Sequence, residues 1–120
     1  MGEPSDGTLF YGYCWDKEIV FDENANFDAT PLLREVASKV DEGWYGCDAQ
    51  MGTYLSIKET EKTAGQFNPE PIDLGRLWLD QEANRNWRKA LLDTFLFTVG
   101  VEPPVGDNQP GWWLVARYVS

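Results

Sequence analysis

The 120-residue sequence contains no histidine and only two cysteines. Without an imidazole, the chain cannot form a Ser-His-Asp triad, a Cys-His pair, a haem proximal ligand or an imidazole-based zinc site. It also lacks the G-x-x-x-x-G-K-[ST] and G-x-G-x-x-G loops that bind nucleotide phosphates. We therefore expect a protein that is not an enzyme, with no catalytic residues, no metal ligands and no cofactor.

Basic side chains are also scarce, since 10 lysines and arginines face 20 acidic residues and the formal charge is −10. Nucleic-acid binders rely on lysine and arginine to displace counterions, so direct nucleic-acid binding is not expected. No apolar run approaches the roughly 18 residues of a membrane span, and the N-terminus lacks the features of a signal peptide. The sequence predicts a cytoplasmic chain that does not bind membranes.

The two cysteines, Cys14 and Cys47, are too few for a disulfide scaffold. Their neighbourhoods predict buried free thiols. A single bridge stays open as an alternative if the strand that holds Cys14 lies beside the turn that holds Cys47.

Apolar residues are plentiful at 42% of the chain, and 17 side chains are aromatic. A chain of this length can bury roughly two thirds of the surface that its unfolded form exposes, so it can build a core without a metal or disulfide. We predict one domain over residues 1–120, with residues 1–7 as a flexible N-terminal lead.

The spacing of apolar residues predicts the elements of that domain. Residues 8–15 alternate as a strand, with Leu9, Tyr11, Tyr13 and Trp15 on one face. Thr30 is placed to cap a helix whose stripe continues from Leu33 to Trp44, with Gly43 near its end. Residues 51–59 alternate as a second strand.

The second half of the chain contains the stronger helix. Residues 72–79 suit a short strand, although their spacing also allows a helical turn. A helix capped by Asp80 follows, with Ala83, Trp87, Leu91, Phe95 and Val99 in its apolar stripe and Gly100 as a left-handed C-cap. Residues 112–119 suit a strand that is central or covered by helices. Together these elements predict an α+β fold, a small mostly antiparallel sheet of three to five strands packed against two helices.

The acidic residues are concentrated in the first half of the chain. Residues 1–60 contain 12 acidic and 4 basic side chains, whereas residues 61–120 contain 8 and 6. Like charges gathered in this way weaken the compact state and steer association with a cation, so the cluster favours a basic partner. The partner-binding residues predicted from this cluster and from nearby aromatic residues are Asp16, Glu18, Asp22, Glu23, Asp28, Asp41, Glu42, Asp48, Trp15, Trp44 and Tyr45.

Other motifs favour simpler interpretations. Asp22, Asn24 and Asn26 match the start of a calcium loop, but Phe27 and Leu33 stand where that loop needs glycine and glutamate. No carboxylate pair is singled out for hydrolysis. A basic cluster at Arg85, Arg88 and Lys89 is expected on a solvated helix face, where Lys89 pairs with Asp93 and Arg85 with Glu82.

The sequence therefore predicts an acidic inhibitor that binds a basic partner protein, a nuclease or nucleic-acid-binding complex, and occludes its nucleic-acid site. A phage-type antagonist of a bacterial defence, such as an anti-CRISPR protein, and a nuclease immunity protein both fit this hypothesis. The alternative is a structural protein that assembles through an aromatic strand, either residues 112–118 or residues 11–15. The inhibitor could be a monomer or a homodimer.

Overall fold

The structure, a computed structural model, describes residues 5–22, 24–47, 50–64, 71–104 and 110–118. These residues form the predicted α+β fold, a curled antiparallel sheet with two α helices. In chain order the elements are β1 (Ser5–Trp15), α1 (Pro31–Lys39), β2 (Val40–Cys47), β3 (Gln50–Ile57), a 3-10 turn (Lys58–Thr60), β4 (Lys62–Ala64), α2 (Leu74–Val99) and β5 (Gly111–Tyr118).

Strand β1 is the centre of the sheet. One of its edges pairs with β5, while the other pairs first with β4 and then with β3. The 3-10 turn fills the gap between those two partners, because Thr60 Oγ1 accepts the Tyr11 backbone N–H at 2.9 Å and donates to the Ile57 carbonyl at 2.7 Å. Strand β2 lies outside β3.

The two faces of the sheet pack against different parts of the protein. On one face Tyr11, Tyr13 and Trp15 pack with α1 and α2, as their predicted alternation requires. The other face curls inward around Phe10 and Tyr54, so that β2 approaches β5. The curl brings β1 and β3 so close at Gly12 that a Cβ there would collide with the Leu55 carbonyl, which only glycine avoids.

Helix α1 begins as predicted, because Thr30 Oγ1 accepts the Leu33 N–H at 3.1 Å and proline occupies the first turn. Its predicted end is wrong: the helix stops at Lys39, and residues 40–47 are strand β2. Residues four apart share a face in both a helix and a strand, so the spacing of Val40 and Trp44 fits either. These residues form a strand because pairing with β3 provides hydrogen-bond partners for their backbone N–H and C=O groups.

Helix α2 begins earlier than predicted. Its cap is Asp73, whose Oδ1 accepts the Arg76 N–H at 3.1 Å, so the strand predicted over residues 72–79 is wrong and the helical alternative is correct. The predicted C-cap is confirmed, since Gly100 has φ 73° and donates its N–H to the last turn.

The buried stripe of α2 is rotated from the predicted one. Ala83 is exposed, and Trp87 and Leu91 are only half-buried. The buried residues are Gln81, Arg88, Leu92, Phe95, Leu96 and Val99.

The sheet differs from prediction at both chain ends. Strand β1 starts at Ser5, so residues 5–7 of the predicted lead pair with β5 and, at Gly7, with β4. Residues 1–4 lie outside the described ranges. Strand β5 was expected to be central or covered, but within the described residues it pairs only with β1 and leaves Trp113 and Leu114 exposed.

The Cys14 thiol is free and half-buried on the inner face of the curl, whereas the side chain of Cys47 lies outside what the structure describes. Burial raises the pKa of the Cys14 thiol, and a hydrogen bond with Tyr45 offsets part of this increase.

Among the described helices, none has both the length and the apolar composition that a membrane crossing needs.

Candidate functional site

A cleft of about 280 Å³ opens between three separated parts of the chain: the loop after β1, the junction between α1 and β2, and the C-terminal half of α2. Its rim is acidic and consists of Asp22, Asp41 and Glu42. Its other lining residues are apolar: Phe21, Ala25, Phe27, Ala37, Val40, Phe95 and Val99. We refer to this feature as the acidic cleft.

The loop that supplies one wall is held by its own side chains. Asp22 Oδ1 accepts the Asn24 N–H at 2.9 Å, and Asn26 Oδ1 accepts the Asp28 N–H at 3.1 Å. These are Asx turns, which account for the D-x-N-x-N pattern. Within the described part of the chain, no group of three or more Asp, Glu, Cys or His side chains is placed to hold a metal ion.

Three phenylalanines form the aromatic part of the floor. Phe27 stacks on Phe95 with ring centroids 5.1 Å apart, and Phe21 meets Phe95 edge-on at 5.8 Å. Phe21 also contacts Trp15, whose ring is 5% exposed. Trp15 was predicted to bind a partner, but its buried ring supports Phe21 and offers almost no surface.

Glu42 lies on the same face of β2 as the cleft residue Val40, whereas the side chain of Asp41 alternates to the other face of the strand. Asp22 and Glu42 are exposed and Asp41 is half-buried, with its Oδ1 accepting the Glu42 N–H at 3.0 Å. Neither Asp22 nor Asp41 forms an ion pair with any described residue. The lysine nearest in sequence, Lys39, instead pairs with Glu35 at 3.0 Å and lies over the Trp87 ring.

Two predicted aromatic residues follow the rim along β2. Trp44 is 58% exposed, as predicted, and lies on the same face of the strand as Glu42, two residues and about 7 Å away. Tyr45 is half-buried on the opposite face, where its hydroxyl donates to the Trp15 carbonyl at 2.6 Å. Burial, with Cys14 and the charge of Asp16 adding to it, raises the Tyr45 pKa above its ordinary range.

The other predicted acidic residues lie on the segments beside the cleft. Asp16, Glu18 and Asp28 are exposed. The segment that holds the first two is fixed at Ile19, whose N–H donates to Thr53 Oγ1 at 2.8 Å. Thr53 is the cross-strand partner of Trp44, so this segment passes close to the exposed tryptophan. Glu23 and Asp48 lie outside the described residues.

A second group of acidic residues surrounds Arg88 of α2, and unlike the carboxylates of the cleft it is paired with a cation of the chain. Arg88 is 2% exposed; its Nη2 donates to Asp80 Oδ2 at 2.8 Å and to Glu59 Oε1 at 3.0 Å, and its Nη1 donates to Gln81 at 2.9 Å. The expectation that Arg88 lies on a solvated face is wrong, because the guanidinium joins α2 to the 3-10 turn. The predicted Lys89–Asp93 pair is confirmed at 2.6 Å.

Sequence reasoning missed the apolar half of the site. Phe21 and Phe27 stand in a polar, acidic segment, and Phe27 was considered only as a mismatch to a calcium loop. Isolated phenylalanines in such a segment were the available signal, since large apolar side chains in a loop need a surface to cover.

Comparisons with protein-family models, with curated proteins and with solved structures gave no match.

Proposed function

We propose that this protein is an inhibitor that binds a basic, nucleic-acid-handling partner protein and occludes the site where that partner holds nucleic acid. The observation that carries this proposal is the acidic cleft, where Asp22, Asp41 and Glu42 surround an apolar floor beside the exposed Trp44. Carboxylates on a rigid fold can occupy arginine and lysine sites that otherwise receive phosphates.

The distribution of charge supports a basic partner. Residues 16–48 contain nine acidic and three basic side chains, so this segment carries a net −6 of the chain's −10. Such a field accelerates encounter with a cationic surface and weakens with salt. Arg88 pairs with Glu59 and Asp80, and Lys89 pairs with Asp93, so these two basic residues are bound to carboxylates outside this segment.

Trp44 supplies contact that does not depend on charge. A tryptophan that is 58% exposed beside a charged rim is the kind of side chain that anchors protein interfaces. The proposed interface is therefore a ring of carboxylates for steering and orientation, with Trp44 and the cleft floor for apolar burial. Both settings suggested by the sequence, an anti-CRISPR-type phage antagonist and a nuclease immunity protein, fit this arrangement.

The test is affinity capture from a bacterial lysate with this protein as bait, at about 50 mM and about 500 mM salt, because contacts between charges weaken steeply over that range. The retained protein is identified, purified and challenged with nucleic acid. A nucleic-acid-binding partner that is captured at low salt, released at high salt and displaced by its nucleic acid supports occlusion. Capture of a partner that nucleic acid does not displace contradicts it.

A matched pair of variants assigns the interface. Asp22→Asn/Glu42→Gln removes two charges from the rim, and Glu82→Gln/Glu102→Gln removes two exposed charges elsewhere. The two proteins have the same net charge, so a general effect of charge weakens capture equally in both. Loss of capture only in the rim variant places the interface at the cleft.

Assembly through β5 is a second candidate, favoured by its position at the edge of the described sheet and by Leu114, which is 74% exposed there. The route through residues 11–15 has less support, because Tyr11, Tyr13 and Trp15 are buried. The mass in solution, measured by light scattering, decides: a dimer that persists at high salt and is lost in Leu114→Asp supports assembly.

A further inference from the structure

We infer that the acidic cleft receives a single arginine side chain from the partner. The inference rests on the proposed function and names the chemistry by which the cleft recognises a basic protein. Three properties of the cleft carry it: its size, its aromatic floor and the carboxylates at its opening.

The volume suits one side chain. At about 280 Å³ the cleft is slightly smaller than the roughly 300–1,000 Å³ of pockets that take drug-sized ligands. Its walls come from a loop, two helices and a strand, so it is a depression in a packed surface and can enclose a side chain inserted from outside. A long side chain with an apolar stem and a polar tip fits a site that is apolar below and charged above.

The floor favours a planar cation. Phe27 and Phe95 stack at 5.1 Å, and Phe21 stands edge-on against Phe95. A guanidinium is planar and weakly hydrated, and it stacks on aromatic faces more readily than an ammonium does. The methylenes of the same side chain can contact Ala37, Val40 and Val99, which line the rest of the cleft.

The opening favours the same cation. Asp22 comes from the loop and Glu42 from the edge strand β2, so these two carboxylates belong to separate walls of the cleft. A guanidinium donates five N–H groups in a fixed fork, and carboxylates accept them in pairs. Lys39 is the last residue of α1, beside the cleft, but its ammonium is already held by Glu35 over the Trp87 ring.

The inference is tested on the isolated protein with a capped peptide, acetyl-Gly-Arg-Gly-amide, followed by NMR of the backbone amides. Saturable shifts confined to the cleft, at Phe27, Asp41, Glu42 and Val99, are expected. The same peptide with citrulline in place of arginine is the neutral isostere and should bind at least fivefold more weakly. Shifts of equal size with both peptides, or shifts centred on Glu59 and Asp80, would overturn the inference. So would a lysine peptide that binds as tightly as the arginine peptide.

Variants separate the floor from the rim. Ala37→Leu fills the cleft without changing charge and should weaken arginine-peptide binding by about tenfold. Asp22→Asn keeps the acceptor for the Asn24 N–H and should weaken it by about two- to fivefold. The control is Glu82→Gln, which removes an exposed carboxylate of α2 outside the cleft lining and should leave binding unchanged. Thermal melting of each variant confirms that it is folded.

Different results contradict the proposed function and the inference about arginine. Peptide binding needs no partner, so a cleft that binds the arginine peptide in a protein that captures no nucleic-acid-handling partner contradicts only the proposed function. Capture of such a partner that is undiminished by Ala37→Leu contradicts only the inference about arginine.

Discussion

Two groups of carboxylates on this protein differ in where their cation comes from. At the Arg88 end, Asp80 and Glu59 are bound to a guanidinium that is 2% exposed and belongs to the chain itself. At the acidic cleft, Asp22 and Asp41 line an apolar depression and form no ion pair with a described residue. Acidic composition alone therefore does not separate the two groups; they differ in whether a basic residue of the chain pairs with the carboxylates.

Removing the internal cation should have the largest effect. Arg88→Met loses three hydrogen bonds from a buried guanidinium and leaves the buried Gln81 without its donor. We expect the free energy of unfolding to fall by about 2–3 kcal/mol, measured by urea denaturation. Arg85→Met, on the exposed side of the same helix, is the control and should change it by less than about 0.5 kcal/mol. An Arg88→Met protein as stable as its parent would remove the contrast between the two ends.

Carboxylates at the two ends should then respond differently to neutralisation. Asp80→Asn and Glu59→Gln should each lower stability by about 0.5–1 kcal/mol, a modest loss because both side chains are half-exposed. Asp22→Asn and Asp41→Asn should leave stability unchanged or raise it slightly, since like charges are relieved and the amide keeps the local acceptor. The urea midpoints of the four variants, each repeated in the Arg88→Met background, provide the measurement. The losses at Asp80 and Glu59 should disappear there if they act through Arg88.

Alkaline pH should lower the free energy of unfolding through Tyr11, which lies near Arg88. Burial raises the pKa of Tyr11 although the Gln81 hydrogen bond and the charges of Arg85, Arg88 and Lys89 lower it in part. A phenol whose pKa is raised on folding contributes stability that is complete below its unfolded pKa of about 10 and is lost as pH rises towards the folded value. Between pH 9.5 and 11 the stability of Tyr11→Phe should therefore decline less steeply than that of the parent. Parallel declines would show that Tyr11 does not titrate with unfolding.

An exposed ion pair should give the smallest effect. Lys39 and Glu35 are joined at 3.0 Å, close to the Arg88 distances, but both side chains are about half exposed. Glu35→Gln should change the free energy of unfolding by no more than about 0.5 kcal/mol. Comparison with Arg88→Met at equal urea concentrations tests whether burial, and not the length of the pair, sets the energy. A loss of 2 kcal/mol or more, roughly the size expected at Arg88, would refute that view.

Local signals predicted the parts of the fold that depend on neighbouring residues. Thr30 capped α1 and Gly100 ended α2 because a cap needs only side-chain chemistry and backbone conformation within one turn. The alternation of Tyr11, Tyr13 and Trp15 assigned one face of β1 correctly, since a strand has a period of two. The same local view misjudged Trp15, whose burial depends on Phe21 from the following loop.

The candidate site was half predictable. The acidic residues of its rim were visible as a concentration of charge, and the exposure of Trp44 was expected. The floor was not, because it forms only when the loop after β1 reaches the C-terminal half of α2, some 70 residues later in the sequence. No periodicity within either segment predicts that the two segments come into contact.

The sequence by itself determined the absence of imidazole chemistry, the net charge of −10 and its concentration near residues 16–48, the capped ends of α1 and α2, and the α+β class. Only the packed chain shows that residues 40–47 are a strand, that Arg88 is buried, and that acidic and apolar residues from distant segments line one cleft. The two kinds of feature differ in the distance along the sequence over which they are determined. Charge, caps and alternation are properties of a residue and its neighbours, whereas backbone pairing and the enclosure of a cleft depend on segments that come together only when the chain is packed.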